Sequence, residues 1–293
     1  MILSRDHNSL GYINRVLYKI QPDFSPLDFL NYIEKIIDLD FKNGLNVSCF
    51  EIPVNFEFPD FSTIEEHDQE AKKIWEISQR IKSRNNRIVF FMPAFYFLGS
   101  QLPDSLKLTK KILNSLSIFL ESIGISGPSI IIRIGSAYGA RKITMQRFSD
   151  EINALPIVIR ERLAVCNDEK PSLFSVTDLM SGVYYKTKIP ILFRFLPHHF
   201  NTGGLTIREA LFLGCSTWPS GIKPIFMYSE SSELDDSGKA ISQIPSEYLT
   251  RRIPTFGLEL DIILDSPIYE KSCMRYMRES QSLKPIVINK NSK

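Results

Sequence analysis

The sequence predicts an α/β fold of the (β/α)8 TIM-barrel class. Three observations carry this: eight apolar, β-rich runs spread over the whole chain, helix-like segments between them, and a length of 293 residues, which such barrels commonly reach as one unit. The runs lie at 10–17, 45–52, 87–92, 129–134, 162–166, 189–195, 223–228 and 257–264. They are apolar almost throughout rather than alternating, which marks strands covered on both faces, as in a parallel sheet wrapped by helices. Eight such strands favour closure into a barrel over an open sheet.

The segments 26–42, 64–82, 105–123, 144–155, 173–183, 206–213 and 269–278 read as helices. Leu27, Leu30, Ile33 and Ile37 recur on one face of the first, and Leu106, Ile112, Leu113, Leu116, Phe119 and Leu120 do the same in the third. The stretch 229–253 is polar and carries Pro245, so the seventh crossover is expected to be irregular and mobile. No repeat, low-complexity tract or linker-like shift in composition interrupts the chain. One barrel domain over 1–285 with a flexible tail at 286–293 is the expected organisation.

With 43% hydrophobic residues the chain can bury a large core. Its 35 Lys and Arg against 33 Asp and Glu leave a net charge of +2, without the strong basic excess of a protein held mainly by phosphate contacts, so any nucleic-acid contact must be local. Cys49, Cys166, Cys215 and Cys273 are scattered and form no C-x-x-C pair, which argues against a zinc site and a disulfide framework and points to a reducing compartment. No apolar run approaches a membrane span, and Arg5, Asp6 and His7 deny the N-terminus the core of a signal peptide. The expectation is an intracellular protein, neither secreted nor membrane-bound.

Barrels of this class build their sites at the C-terminal ends of the strands. Here those ends carry, in order, Leu10-Gly11-Tyr12; Asn43-Gly44-Leu45 with Phe50-Glu51-Ile52; Met92-Pro93-Ala94-Phe95-Tyr96; Ile132-Arg133-Ile134-Gly135-Ser136-Ala137-Tyr138-Gly139; and Cys166-Asn167-Asp168-Glu169. They continue with Phe193-Arg194-Phe195-Leu196-Pro197-His198-His199-Phe200-Asn201, Pro224-Ile225-Phe226-Met227-Tyr228-Ser229, Pro245-Ser246-Glu247-Tyr248-Leu249 and Leu260-Asp261-Ile262-Ile263-Leu264-Asp265.

In this order and spacing the segments resemble the UV damage endonuclease family over nearly the whole chain, with its xylose-isomerase-like and AP-endonuclease-like barrel. The metal-binding letters are what differ. The 193–201 run is similar to F-D-x-H-H-H-x-x-N, with Arg194, Leu196 and Pro197 in place of Asp and two His. Met92 and Phe95 stand for the His and Gln of H-P-G-Q-Y, Arg133 for the His of I-H-x-G-G-x-Y-G, and Cys166 for the Glu of E-N-D-D. The seventh-strand P-K-x-H-Y-S loses its Lys and His at Ile225 and Met227, H-S-D-Y-I loses its His at Pro245, and Asp265 replaces a glutamate.

In that family a cluster of divalent metals at the mouth activates water and clamps the scissile phosphate of damaged DNA. Leucine, proline, methionine and arginine offer no ligands to such ions, and the chain has only 4 His. The resemblance therefore implies a barrel without a metal centre: a pseudoenzyme serving as a binding or scaffold subunit in a nucleic-acid-related assembly, with DNA or a protein as partner and no cofactor. The alternative is a working DNA repair endonuclease with a reduced Mg²⁺ or Mn²⁺ site, for which Asp168, Glu169 and Asp265 are the candidate catalytic residues. Cys166 as a thiol nucleophile is a third reading, which needs His198 or His199 as base.

The candidate binding residues are Arg133, Arg194, His198, Asn201, Tyr96 and Tyr138. For His198 and Asn201 loop support is the competing, simpler role. Arg133 and Arg194 are expected to point into the mouth, to form ion pairs with Glu51 and Asp265 where metal would sit, or to bind an anion such as phosphate. The aromatic run Phe90, Phe91, Phe95, Tyr96 and Phe97 is read either as a stacking surface for bases or as buried packing.

Overall fold

The eight apolar runs pair in chain order, every pair parallel, and the last returns to the first to close the barrel. In the computed structural model these strands are β1 (Ser9–Asn14), β2 (Val47–Glu51), β3 (Arg87–Phe91), β4 (Ile130–Ile132), β5 (Leu163–Cys166), β6 (Ile191–Arg194), β7 (Ile225–Tyr228) and β8 (Asp261–Leu264). The structure describes residues 8–14, 25–52, 61–65, 67–93, 95–137 and 140–285. The expected tail at 286–293 lies outside them, as does the end of the first predicted strand.

Around the barrel run α1 (Pro26–Lys42), α2 (Gln69–Arg84), α3 (Pro103–Ser122), α4 (Arg141–Ala154), α5 (Ile157–Arg160), α6 (Val176–Leu179), a π-helical turn (Met180–Tyr184), α7 (Tyr185–Thr187), α8 (Phe195–Phe200), α9 (Ile207–Cys215) and α10 (Glu270–Glu279). Local chemistry sets several starts. Ser25 and Asp28 form a reciprocal capping box ahead of Pro26, and Ser175 with Asp178 and Thr206 with Glu209 do the same for α6 and α9. Helix α8 was not expected. Its six residues follow β6 directly and are too few to show a helical period, and Pro197 fits in its first turn because no helical N–H is needed there. Among the described residues no helix is long and apolar enough to cross a membrane.

The pleat divides the strand side chains into two sets. One faces the helices: Phe29, Phe50, Phe90 and Phe119 belong to this outer core, with the Phe29 and Phe119 rings 5.2 Å apart. The other fills the lumen with Val47 and Cys49, Val89 and Phe91, Ala164 and Cys166, and Ile225 and Met227, positions two apart along each strand. Extending that step past the strand ends carries Glu51, Arg133, Asp168, Arg194 and Asp265 to the C-terminal mouth. Extending it backwards carries Arg87 and Asp261 to the floor.

The floor is an ionic plug. Arg87 Nη1 donates to Asp261 Oδ2 at 2.7 Å and to the Lys223 carbonyl at 2.5 Å, its Nη2 donates to the Pro128 carbonyl at 3.0 Å, and its guanidinium lies 5.3 Å from the Trp218 ring. Trp218 Nε1 in turn donates to the Ile191 carbonyl at 2.9 Å. Gly11 on β1 marks a close approach in the wall, since a Cβ there would lie 2.0 Å from the Val47 carbonyl oxygen.

The seventh crossover has no helix, as its composition required. It is nevertheless tied down: Glu230 accepts hydrogen bonds from the Tyr228 hydroxyl, the Thr250 amide and hydroxyl, and the Arg251 amide. Two antiparallel bridges, Ser231 to Pro245 and Leu234 to Ala240, fold the segment back on itself.

Candidate functional site at the barrel mouth

Three neighbouring strands deliver the charged groups. Arg133 follows β4, Asp168 and Glu169 follow β5, and Arg194 ends β6, so the order of the sheet places the acids between the two arginines. Both guanidiniums lie over one ring, with Cζ 5.3 Å (Arg133) and 5.7 Å (Arg194) from the Phe91 centroid. Arg133 Nη1 is 3.9 Å from Asp168 Oδ1, and Arg194 Nη1 is 3.6 Å from Glu169 Oε2.

The arginines therefore pair with Asp168 and Glu169, where Glu51 and Asp265 were expected. The physical reason is adjacency, because β5 sits between β4 and β6, while Asp265 acts on both guanidiniums only through its field.

Asn167 fixes the frame. Its side chain accepts from the Arg194 amide at 2.7 Å and donates to the Arg194 carbonyl at 3.1 Å, extending the β5–β6 ladder by one rung. The family-like motif contains this residue, but its role was not evident beforehand; an amide at the end of a buried strand, able to satisfy both groups of one neighbouring peptide, is the signal.

Burial raises the Asp168 carboxyl to about 6, against the pull of Arg133 and Arg194. Burial opposes the charge of Arg133 too, yet Cys166, Asp168, Glu169 and Asp265 hold it above the ordinary range. Arg194 falls below that range through burial and repulsion by Arg133. The Cys166 thiol is pushed up by burial despite both arginines, so it is no ready nucleophile.

The remaining candidates separate. His198 is buried, its Nε2 lies 3.1 Å from the Leu205 carbonyl, its ring packs edge-on against Phe193, and burial pushes it down to about 4, leaving it neutral. Asn201 Nδ2 donates to the carbonyls of Asp168 and Lys170 at 3.3 and 3.0 Å, bracing the loop after β5. Both were candidate binding residues: Asn201 Nδ2 and His198 Nε2 are engaged with loop carbonyls, while His198 Nδ1 is buried without a partner. Tyr96 is buried, and of the aromatic run only Phe95 is exposed, at 67%. Tyr138 lies outside the described residues.

A divalent cation does not fit this arrangement. Two fixed guanidinium charges stand beside the Asp168 and Glu169 carboxylates, and Met92, Cys166, Leu196 and Met227, which offer no carboxylate or imidazole, are buried. Among the described residues no three His, Cys, Asp or Glu side chains converge as a metal-ligand group.

Fold and mouth together define a (β/α)8 barrel with an arginine–carboxylate cluster where its class builds active sites. The model of the UV-endonuclease UvdE family matches residues 57–292, and the chain belongs to that family. UV DNA damage endonucleases of Bacillus cereus strain Q1 and strain ATCC 10987 / NRS 248 are 25% and 29% identical to it over 222 residues, each covering 73% of this chain and 68% of the relative. The crystal structure of SacUVDE superposes with a TM-score of 0.72 at 22% identity, over 94% of this chain and 99% of that one. A D-psicose 3-epimerase from Clostridium cellulolyticum H10 shares the fold at a TM-score of 0.56 and 11% identity, over 95% and 100% of the two chains.

Proposed function

We propose that this chain is a UvdE-family barrel that has given up cleavage and acts as a binding or scaffold subunit on nucleic acid. The observation that carries the reading is the pairing of Arg133 with Asp168 and of Arg194 with Glu169. These are the acids that a reduced metal site would need, and each faces a permanent cation instead. The two Bacillus relatives are named UV DNA damage endonucleases, which gives DNA as the first partner to test, and Phe95 is an exposed aromatic beyond the C-terminal end of β3 on which an unpaired base could stack. Four cysteines, three of them buried and none in a disulfide among the described residues, suit a reducing compartment.

The test is metal stoichiometry by mass spectrometry on protein loaded with excess Mn²⁺, Zn²⁺ and Mg²⁺ and then dialysed, followed by nicking of UV-irradiated duplex. We expect well under one equivalent of metal and no nicking. One or more retained equivalents, with nicking lost in Asp265→Ala, would establish the metal-dependent endonuclease in its place.

A further inference from the structure

The two mouth arginines are under-used as donors. Each guanidinium carries five N–H groups. Among the described residues Arg133 donates no hydrogen bond, and the Arg194 guanidinium donates one, to the Asn167 carbonyl at 3.5 Å. The Nε atoms of both are buried without a partner, and Arg194 is only 8% exposed. The carboxylates nearby do not close on them, remaining at 3.6 and 3.9 Å. Asp168 is held off because its backbone is already committed: its amide donates to the Phe174 carbonyl and its carbonyl accepts from Asn201. Two like charges thus share one aromatic ring with most of their donors open.

We infer that Arg133 and Arg194 form a two-fork clamp for a tetrahedral oxyanion, a phosphate group, which enters the mouth between them and displaces Glu169 toward solvent. A carboxylate offers two oxygens, too few for two planar forks, whereas a tetrahedral anion presents an oxygen pair to each. Glu169 can leave without a buried penalty because its side chain is 25% exposed. The floor cluster shows the contrast: there Arg87 donates three hydrogen bonds, to a carboxylate and two carbonyls. This inference rests on the non-cleaving reading of the mouth.

The experiment is calorimetric titration of the full-length chain with sulfate at pH 7.5, against sodium chloride of matched ionic strength. One saturable site is expected, with affinity at least tenfold weaker in Arg133→Gln and in Arg194→Gln and unchanged in Arg208→Gln. Asp168→Asn and Glu169→Gln each remove a competing carboxylate and are expected to tighten sulfate several-fold. That gain decides the matter even where an arginine variant fails to fold.

Absence of a saturable site, full affinity in folded arginine variants, or weaker binding in Asp168→Asn would overturn the clamp. Displacement of sulfate by a twelve-nucleotide oligo-dT would assign the group to a nucleic-acid backbone, and displacement by inorganic phosphate alone to a small phosphorylated ligand. Sulfate that fails to bind a metal-free protein removes this inference and leaves the non-cleaving reading. Sulfate bound by a protein that also holds metal and nicks DNA removes the non-cleaving reading and this inference with it.

Discussion

Replacing Asp168 with Asn is predicted to stabilise the protein at neutral pH, although it removes one partner of an ion pair. Asp168 is 2% exposed, its Oδ2 has no hydrogen-bond partner, and its Oδ1 lies 3.9 Å from Arg133, so the amide forfeits no hydrogen bond of the carboxylate. Burial raises its pKa from 3.8 to about 6 with the arginines already counted. The folded state therefore holds the proton more tightly than the unfolded one. The stability contributed by this group is complete below pH 3.8 and is lost as pH rises through about 6. Two pKa units correspond to about 3 kcal/mol, and that is the upper bound for the gain in Asp168→Asn above pH 7, falling to roughly 1.5 kcal/mol at pH 5 and to about 0.5 kcal/mol at pH 4. Asp40, also raised to about 6 by burial, and His198, lowered to about 4, shape the background profile but cancel in the difference between the two proteins. Urea unfolding of both at pH 4, 5 and 7.5 gives the numbers. A variant less stable than the parent at pH 7.5, or a difference that does not shrink toward pH 4, would show that the pair with Arg133 outweighs desolvation and that the account of this site is wrong.

The other predictions concern the frame. Arg87→Met should destabilise by about 2–4 kcal/mol in urea unfolding, because two carbonyls lose their donor at the floor and Asp261 is left with the Lys223 ammonium at 3.7 Å; a loss under about 1 kcal/mol contradicts the plug. Glu230→Gln should cost about 1–3 kcal/mol and speed proteolysis within 229–253, since an amide cannot accept all four donors that converge on the carboxylate; an unchanged cleavage rate would mean that the segment is held elsewhere. Gly11→Ala should cost about 3 kcal/mol or more, because its Cβ would lie 2.0 Å from the Val47 oxygen; soluble protein of parental stability would refute the close approach of β1 and β2.

Much of this was legible in the residues. Continuous apolar runs located all eight strands, and the family-like runs at 132–139 and 193–201 singled out Arg133 and Arg194, which the structure places two positions beyond the lumen residues Ile131 and Leu192. The partners were not legible, because they depend on which strands are neighbours rather than on which residues lie at the mouth: Asp168 and Glu169 belong to the strand between the arginines, Glu51 and Asp265 do not. Helix α8 was missed because aromatic and histidine letters after a strand resemble a continuing strand. Loop support was already the simpler reading of His198 in sequence, and its edge-on contact with Phe193 and the Leu205 carbonyl add the partners that the letters could not name. Glu230 gave no signal, since its four donors lie on three residues, two of them twenty or more positions away.

The floor plug bears on how such a site can change over evolutionary time. Closure of the barrel is secured by Arg87, Asp261 and Trp218 at the end remote from the mouth, with a dry column of aliphatic and aromatic side chains between the two ends. Replacing a charged mouth residue such as Glu169 leaves the Arg87 plug and its bonds in place. Ligands can be lost one at a time while the floor goes on holding the strands together. A lineage can in this way cross from metal chemistry to guanidinium chemistry through intermediates that all remain closed barrels.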